Sequence, residues 1–423
     1  MNKTKEEKQT NYSEPNGPLE KLKERRRTVI TLVCIVLFAI GGICAMFALL
    51  MKATHRDPGY YKVEASQNDG APLYSHNYAF EHYFEGESLQ IKFAIDACAK
   101  KYSEILLRIY KLTDAQNQYA DCKNIAYLNA NQGKEIELDE ELFDILVSAY
   151  ELTQSGRFNM FAGALDSAWN EIIYSNAPEE FDPLVNAEQK ARIAAAVECT
   201  KSLADFTFEV VDADKHVVRF ETADAYKSFS QANDFSASVI DLGYLRDAFV
   251  IDTVCRLMEY EGYDNGYMSS VSGAVKALSG MKAQGHEFVA YGLINSDAVR
   301  AYSLPMLEGS ACCCLRAFGL ENEIGYYTVE TENGRILRHP NYSVNSGEMH
   351  DEFISVCAYA QKGSAVEVSL AAQNCIAADL NSASSDAGIH VSYIKKSEPM
   401  KVFADPAVKD KLKPLDEWGY TIG

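Results

Sequence analysis

Positive charge is scarce in this chain. Over 423 residues, 40 Lys and Arg stand against 60 Asp and Glu, a formal net charge of −20. Residues 1–27 hold eight of the basic and five of the acidic residues, a net of +3, so the remainder carries −23. An acidic body of that size argues against binding nucleic acid or anionic lipid by electrostatics. Paired cysteine motifs are also missing. No Cys-x-x-Cys occurs, and with Cys34 and Cys44 inside an apolar run, nine cysteines remain, an odd number that makes no disulfide framework. In Cys312-Cys313-Cys314 adjacent side chains diverge, which suits buried small residues better than a metal or redox centre. Internal repeats are absent, and no regular βαβ rhythm joins strands to helices, which points to the α+β class.

What is present begins with a long apolar run. Thr28 to Met51 contains no charged residue, and as a helix it would span roughly 36 Å, enough to cross a bilayer. Lys21, Lys23, Arg25, Arg26 and Arg27 precede it, so the positive-inside rule expects a cytoplasmic N-terminus and an exterior body. A cleaved signal peptide would have a shorter apolar stretch and a small-x-small site after it, and neither is found. The expected organisation is a polar tail over 1–27, a single-pass anchor over 28–51, a stalk over 52–78 and one domain over 79–423. An apolar fraction of 47% and 25 tyrosines provide that domain with a sizeable core.

Within the domain, Leu89, Ile91, Phe93 and Ile95 alternate as a strand, followed by a helix to about Leu112. Asp139 is placed to cap a second helix carrying Leu142, Ile145, Leu146, Ala149 and Leu152. Phe206, Phe208 and Val210 pair with Val218 and Phe220 across a polar turn. Asn333-Gly334 is a strong hairpin signal between Tyr327–Val329 and Arg335–Leu337. Phe353 to Ala360 and Ile389 to Ile394 read as further strands.

The most informative segment is Ser238-Val239-Ile240-Asp241-Leu242-Gly243-Tyr244-Leu245-Arg246-Asp247-Ala248-Phe249-Val250-Ile251-Asp252. It reads as a buried strand turning into an amphipathic helix that Gly262 ends, with a carboxylate and free N–H groups at the turn where a polar ligand or phosphate fits. It resembles the Asp-Leu-Gly-Gly-Ile-Ala-Lys-Gly-Tyr-Ala-Val-Asp element of the ApbE family, the FAD:protein FMN transferases. Asp241, Leu242, Gly243 and Asp252 match without a gap. Tyr244, Asp247 and Ala248 replace the second glycine, the lysine and the last glycine. Ser155 to Leu165, followed by Trp169, is similar to the family's Ser-x-Gly-Ala-Phe-Asp-x-Thr-x-Gly-Pro-Leu block, with Asn159 at the aspartate. Tyr267 to Gly273 looks like the strand ending in Asn-x-Gly-Gly, with Ser272-Gly273 as the pair beside the nucleotide.

The resemblance implies an α+β ApbE-like domain with mixed and antiparallel sheets and packed helices. It also implies FAD or FMN as ligand, Mg2+ as metal, and transfer of FMN to a Thr or Ser of an acceptor protein, here one of a membrane redox system. Asp241, Gly243, Tyr244, Asp247, Ser272 and Gly273 are its nucleotide-binding candidates. The family's metal-binding Asp and Thr fall on Asn374 and Ala378, and a shifted register offers Asp379 with Ser382. His339 is one position out of register with the family histidine and reads as an exposed loop residue. Departures concentrated on charged and metal-binding positions, over a preserved apolar framework, predict a pseudoenzyme with weakened or lost transfer. An active Mg2+-dependent transferase and a non-catalytic interaction domain at the membrane surface are the alternatives.

Overall fold

The computed structural model describes residues 55–65, 76–233, 235, 238–282, 285–320, 323–332, 334–377, 388–415 and 418–423, with isolated helical positions between 26 and 46. Two compact units result, one of Met1–Pro58 with Glu85–Lys92, the other of Gly59–Phe84 with Phe93–Gly423. In the first, the Arg56 N–H donates to Ser88 Oγ at 2.8 Å. Of the apolar run at 28–51, residues 29–33, 36–38, 40–42 and 46 are described, all helical. Among the described residues no helix is long and apolar enough to cross a membrane.

The first half of the second unit holds strands β1 (Gly59–Val63), β2 (Tyr78–Phe84), β3 (Glu135–Glu137), β4 (Phe206–Asp212) and β5 (Val217–Thr222). The second half holds β6 (Gly266–Ser270), β7 (Ala274–Ala277), β8 (Glu287–Ile294), β9 (Asp297–Pro305), β10 (Ala311–Arg316), β11 (Tyr327–Thr331) and β12 (Gly334–Arg338). There follow β13 (Phe353–Ala360), β14 (Ile389–Lys395), β15 (Glu398–Ala404), β16 (Lys413–Pro414) and β17 (Thr421–Ile422). β1 lies inside the segment expected to be a stalk. Nine strands join in the order β1-β2-β6-β7-β10-β13-β14-β15-β17, antiparallel except for the last pair. Small sheets of β3-β5-β4, β16-β9-β8 and β11-β12 flank it. The architecture is mixed α+β.

The long sheet is covered on both faces, so β13 is buried at every position. On one face, Val368, Ala372, Cys375 and Ile376 of helix Ala365–Ile376 meet Cys313, Val356 and Ala358. On the other, Phe288 and Tyr302 of β8 and β9 pack with Cys312, Cys357 and Tyr359. Alternation along β10 therefore sends Cys313 to the helical face and Cys312 and Cys314 away from it. Cys312 Sγ approaches Cys357 Sγ to 3.3 Å, and both remain free thiols.

Several expectations are met. Phe208 pairs with Phe220 and Val210 with Val218, and β11 pairs antiparallel with β12, while Asn333 of the expected turn lies outside the described residues. Others are corrected. Leu89 to Ile95 lies inside one continuous helix, Ser88–Leu112. Two-residue alternation over so short a stretch also fits a helix when the next apolar positions, Cys98, Tyr102, Leu106 and Ile109, continue at helical spacing. Ser238 to Asp241 is not a strand. Its backbone groups are satisfied by a loop and a side chain instead of a ladder.

Candidate functional site

The Ser155–Leu165 and Ser238–Gly243 segments interlock. The Asp241 N–H donates to Met160 O at 2.9 Å, and the Gly163 N–H donates to Val239 O at 3.1 Å. A Cβ at Gly163 would lie 2.5 Å from Ser238 O, so this contact admits only glycine. From the other side, Asn129 donates from Nδ2 to Ile240 O and accepts the Ile240 N–H at Oδ1, both at 2.9 Å. Asp241 is thus held at the end of a segment bonded from both sides. Its Oδ1 accepts the Gly243 N–H at 3.0 Å, which closes the turn into helix Arg246–Tyr260.

This turn forms one wall of a cavity of about 800 Å³. Asp241, Gly243, Tyr244, Arg246 and Asp247 line it, with Ser272 beyond β6, Tyr342 and Asn341 opposite, and Ser369 and Gln373 along helix Ala365–Ile376. Asp166, from the first turn of helix Gly163–Ile173, enters from below. The Tyr342 hydroxyl donates to Asp166 Oδ1, and the Tyr342 ring stacks on Trp169 at 5.5 Å between centroids. Trp169 is itself fixed by donating to Gly347 O at 3.1 Å. The tryptophan of the second block therefore acts through Tyr342. Tyr174, Val271 and Ile324 form an exposed rim.

The cavity is acidic. Burial, and then the neighbouring Asp241, raise the Asp166 carboxyl well above the usual range, against the Tyr342 hydrogen bond. Burial likewise raises Asp241, opposed by the Gly243 N–H and by Arg246. Both carboxylates flank Gly243, where a Cβ would lie 3.0 Å from Asp166 Oδ2. Asp247 accepts from the Tyr78 hydroxyl at 2.6 Å, while Glu323 is engaged by both terminal nitrogens of Arg316 at 2.8 and 2.9 Å. Arg246 faces the cavity but is tied back to Tyr110 O at 3.2 Å and lies over the Tyr110 ring.

The candidate residues are placed unequally. Asp241, Gly243, Tyr244, Asp247 and Ser272 gather at the cavity. Gly273 stands behind Ser272 at φ +95°, where a Cβ would lie 2.2 Å from Cys314 O, so its role is close backbone approach. Asn374 is half-buried outside the lining, and the helix turns Ser369 and Gln373 inward instead, one turn apart. Asp379, Ala378 and Ser382 lie outside the described residues. Among the described residues no three His, Cys, Asp or Glu side chains form a metal cluster. Asn159 bonds Thr200 O and the Phe161 N–H, a scaffolding role. His339, expected to be exposed, is buried, with Nε2 against His350 O at 3.0 Å and Nδ1 accepting the Asn341 N–H. Asp166 was missed because sequence attention fell on matches to a pattern. Its signal was a carboxylate among the small and apolar residues that open the helix Gly163–Ile173.

The sequence model described as the ApbE family matches residues 86–290. The fold is similar to an ApbE protein from Thermotoga maritima, at 13% identity and a TM-score of 0.53, covering 83% of this chain and 99% of that one. It is also similar to a mutant flavin transferase ApbE from Vibrio cholerae, at 12% identity and a TM-score of 0.50, covering 79% and 95%. No curated protein matches at the sequence level.

Proposed function

This chain is a divergent member of the ApbE family, and on that premise we propose that it binds a flavin nucleotide outside the cell membrane with weakened or lost transfer of FMN. The charge-free run after a basic flank supports an uncleaved single-pass anchor with the N-terminus in the cytoplasm.

One observation carries the reading of the site. The residues that resemble the family's nucleotide turn line one cavity, yet the charges around it oppose a pyrophosphate. In shape the residues fit a flavin nucleotide, with Tyr174, Tyr244, Tyr326 and Tyr342 available as ring surfaces. In charge, Asp166, Asp241 and Asp247 face the space with Arg246 as counter-charge. A like charge about 4 Å from a phosphate costs on the order of 4 kcal/mol at an effective dielectric near 20.

Mg2+, when bound, would neutralise charge building on the pyrophosphate. The oxygen donors that could hold it are Asp166, Asp241 and Gln373, a chemically suitable set. The chain's own residues orient the ligand: the Asp241–Gly243 turn fixes one wall, Ser272 the other, and Tyr244 narrows the space between.

Titration calorimetry with FAD and FMN, beside an in-gel flavin assay with FAD, Mg2+ and a Thr-containing acceptor, tests this reading. Binding at micromolar or weaker affinity with no labelled acceptor is expected. Absence of any flavin binding would favour a non-catalytic interaction domain, and strong labelling an active transferase. Protease accessibility on intact cells checks the topology, and digestion only after lysis would refute it.

A further inference from the structure

We propose that the start of helix Ser88–Leu112 rests on the lipid surface, with Leu89 and Phe93 inserted at the boundary between headgroups and acyl chains. This end of the helix is apolar on both sides. Ile91, Cys98 and Tyr102 are buried, whereas Leu89 and Phe93, one turn apart, are 65% and 64% exposed. Among the described residues beyond position 46 they are the most exposed leucine and phenylalanine. Ala97 continues the exposed row at the same spacing. A surface helix ordinarily turns polar side chains outward, and one that is apolar all round lies in protein or in lipid. The first turn is well tied: Gln90 Oε1 accepts the Glu87 N–H at 3.1 Å, and the Ile91 N–H donates to Glu87 O at 2.9 Å.

Chain length names lipid as the occupant. The charge-free run ends at Met51, and the Arg56 N–H donates to the hydroxyl of Ser88, the residue before Leu89. Five residues reach at most about 18 Å, so this helix start cannot leave the neighbourhood of a bilayer that holds the run. The headgroup region takes up about 5–7 Å of that reach, and apolar helix faces sink about 5–10 Å into it. Charge does not make the contact, because Arg56, Lys92 and Lys100 are offset by Asp57, Glu85, Glu87 and Asp96. Two side chains also bury less hydrocarbon than the single acyl chain that gives only marginal membrane binding. The seat therefore depends on the tether, which keeps the pair at high effective concentration beside the lipid.

The seat presupposes the anchor proposed above, which flotation of the full chain with vesicles tests by itself. Full-length Phe93→Trp is reconstituted in phosphatidylcholine vesicles with or without lipid brominated near the top of its acyl chains. The parent tryptophans, Trp169 and Trp418, supply the background to subtract. The added indole should be quenched roughly twofold or more by brominated lipid, at low and high salt alike, and shielded from aqueous iodide. Leu89→Trp should behave in the same way. Ile324→Trp, at a position 74% exposed on the cavity rim, should be open to iodide and unaffected by brominated lipid. Leu89→Glu added to Phe93→Trp should abolish the lipid quenching without changing the Tm. Flotation with an indole at position 93 that iodide reaches and brominated lipid does not would overturn the seat and leave the anchor standing. A chain that does not float would overturn both. Equal lipid quenching at positions 93 and 324 would overturn the assignment to this helix, and quenching lost at high salt would overturn the apolar contact.

Discussion

Asp252 caps Ala365: its Oδ1 accepts the Ala365 N–H at 2.9 Å, and its Oδ2 accepts the next N–H, that of Val366, at 3.0 Å. The matched aspartate at the end of the nucleotide-turn segment therefore holds two first-turn N–H groups of a helix more than a hundred residues away, beside the N-cap Ser364, whose Oγ accepts the Glu367 N–H. Lys276 on β7 completes the junction, with Nζ 2.7 Å from the same Oδ1. Two helices and the sheet are tied at one carboxylate, which fixes how Ser369 and Gln373 face the cavity.

Asp252→Ala should destabilise the protein by about 2–4 kcal/mol, since it removes the acceptor of two helix-end N–H groups that the N-cap Ser364 does not serve and leaves Lys276 unpaired. Asp252→Asn should cost less, because an amide oxygen can still accept one of the two N–H groups. Urea unfolding monitored by circular dichroism measures both. Equal stability of Asp252→Ala and the parent would show that the junction is redundant.

The framework was largely legible in the sequence and the working face of the site was not. Periodicity and turn chemistry identify the β4–β5 pair, the β11–β12 pair and the helix ending before Gly262, because there the local signals and the packing agree. Helix Ala365–Ile376 defeats the same reasoning. Ten of its twelve residues are buried and most are small or apolar, so no polar stripe marks which side meets the cavity. A motif laid over such a helix can slip by a turn or more, as it does between Asn374 and the Ser369–Gln373 face. His339 was misjudged because burial depends on the chain that returns at His350, a contact that no local pattern encodes.

Nucleotide affinity should respond to the two substituted turn residues. Tyr244 packs edge-on against Phe158, with centroids 5.7 Å apart, and narrows the cavity. Asp247 brings a negative charge where the family resemblance puts a lysine. Tyr244→Gly with Asp247→Lys should tighten FAD binding at least tenfold by calorimetry, a fraction of the roughly 4 kcal/mol at stake. Unchanged affinity would mean that this turn does not face a phosphate.

Acid should destabilise the fold through His339. Burial lowers its pKa from 6.5 to about 4, with Arg338 adding to the effect and the His350 carbonyl opposing it. Neutral His339 donates from Nε2 and accepts at Nδ1, and protonation would remove the acceptor of the Asn341 N–H. The unfolded chain binds this proton more readily than the folded one. The contribution is therefore complete above pH 6.5, falls as the pH drops towards 4, and amounts to about 3 kcal/mol over that window. His339→Gln should flatten this part of a stability–pH profile measured by urea unfolding, and an unchanged slope would exclude the histidine as its source.

Transfer chemistry is where the charge inversion should tell most. Helix Ala365–Ile376 presents a hydroxyl and an amide to the cavity, Ser369 and Gln373, and no carboxylate. A cation held instead by Asp166 and Asp241 is already neutralised by two carboxylates and has less charge to offer a pyrophosphate. If that shortfall amounts to about 4 kcal/mol in the transition state, the rate drops roughly a thousandfold. The unmodified chain should therefore give no detectable flavin label on an acceptor at physiological Mg2+. Asn374→Asp should change nothing, because that side chain does not line the cavity. Ser369→Asp should raise Mn2+ affinity, and combined with Tyr244→Gly and Asp247→Lys it should give measurable Mg2+-dependent labelling in an in-gel flavin fluorescence assay. Labelling gained from Asn374→Asp alone would put the metal on the other face of this helix. Strong labelling by the unmodified chain would show that the acidic cavity is compatible with transfer, and the chain would then be a working enzyme with an unusual metal site.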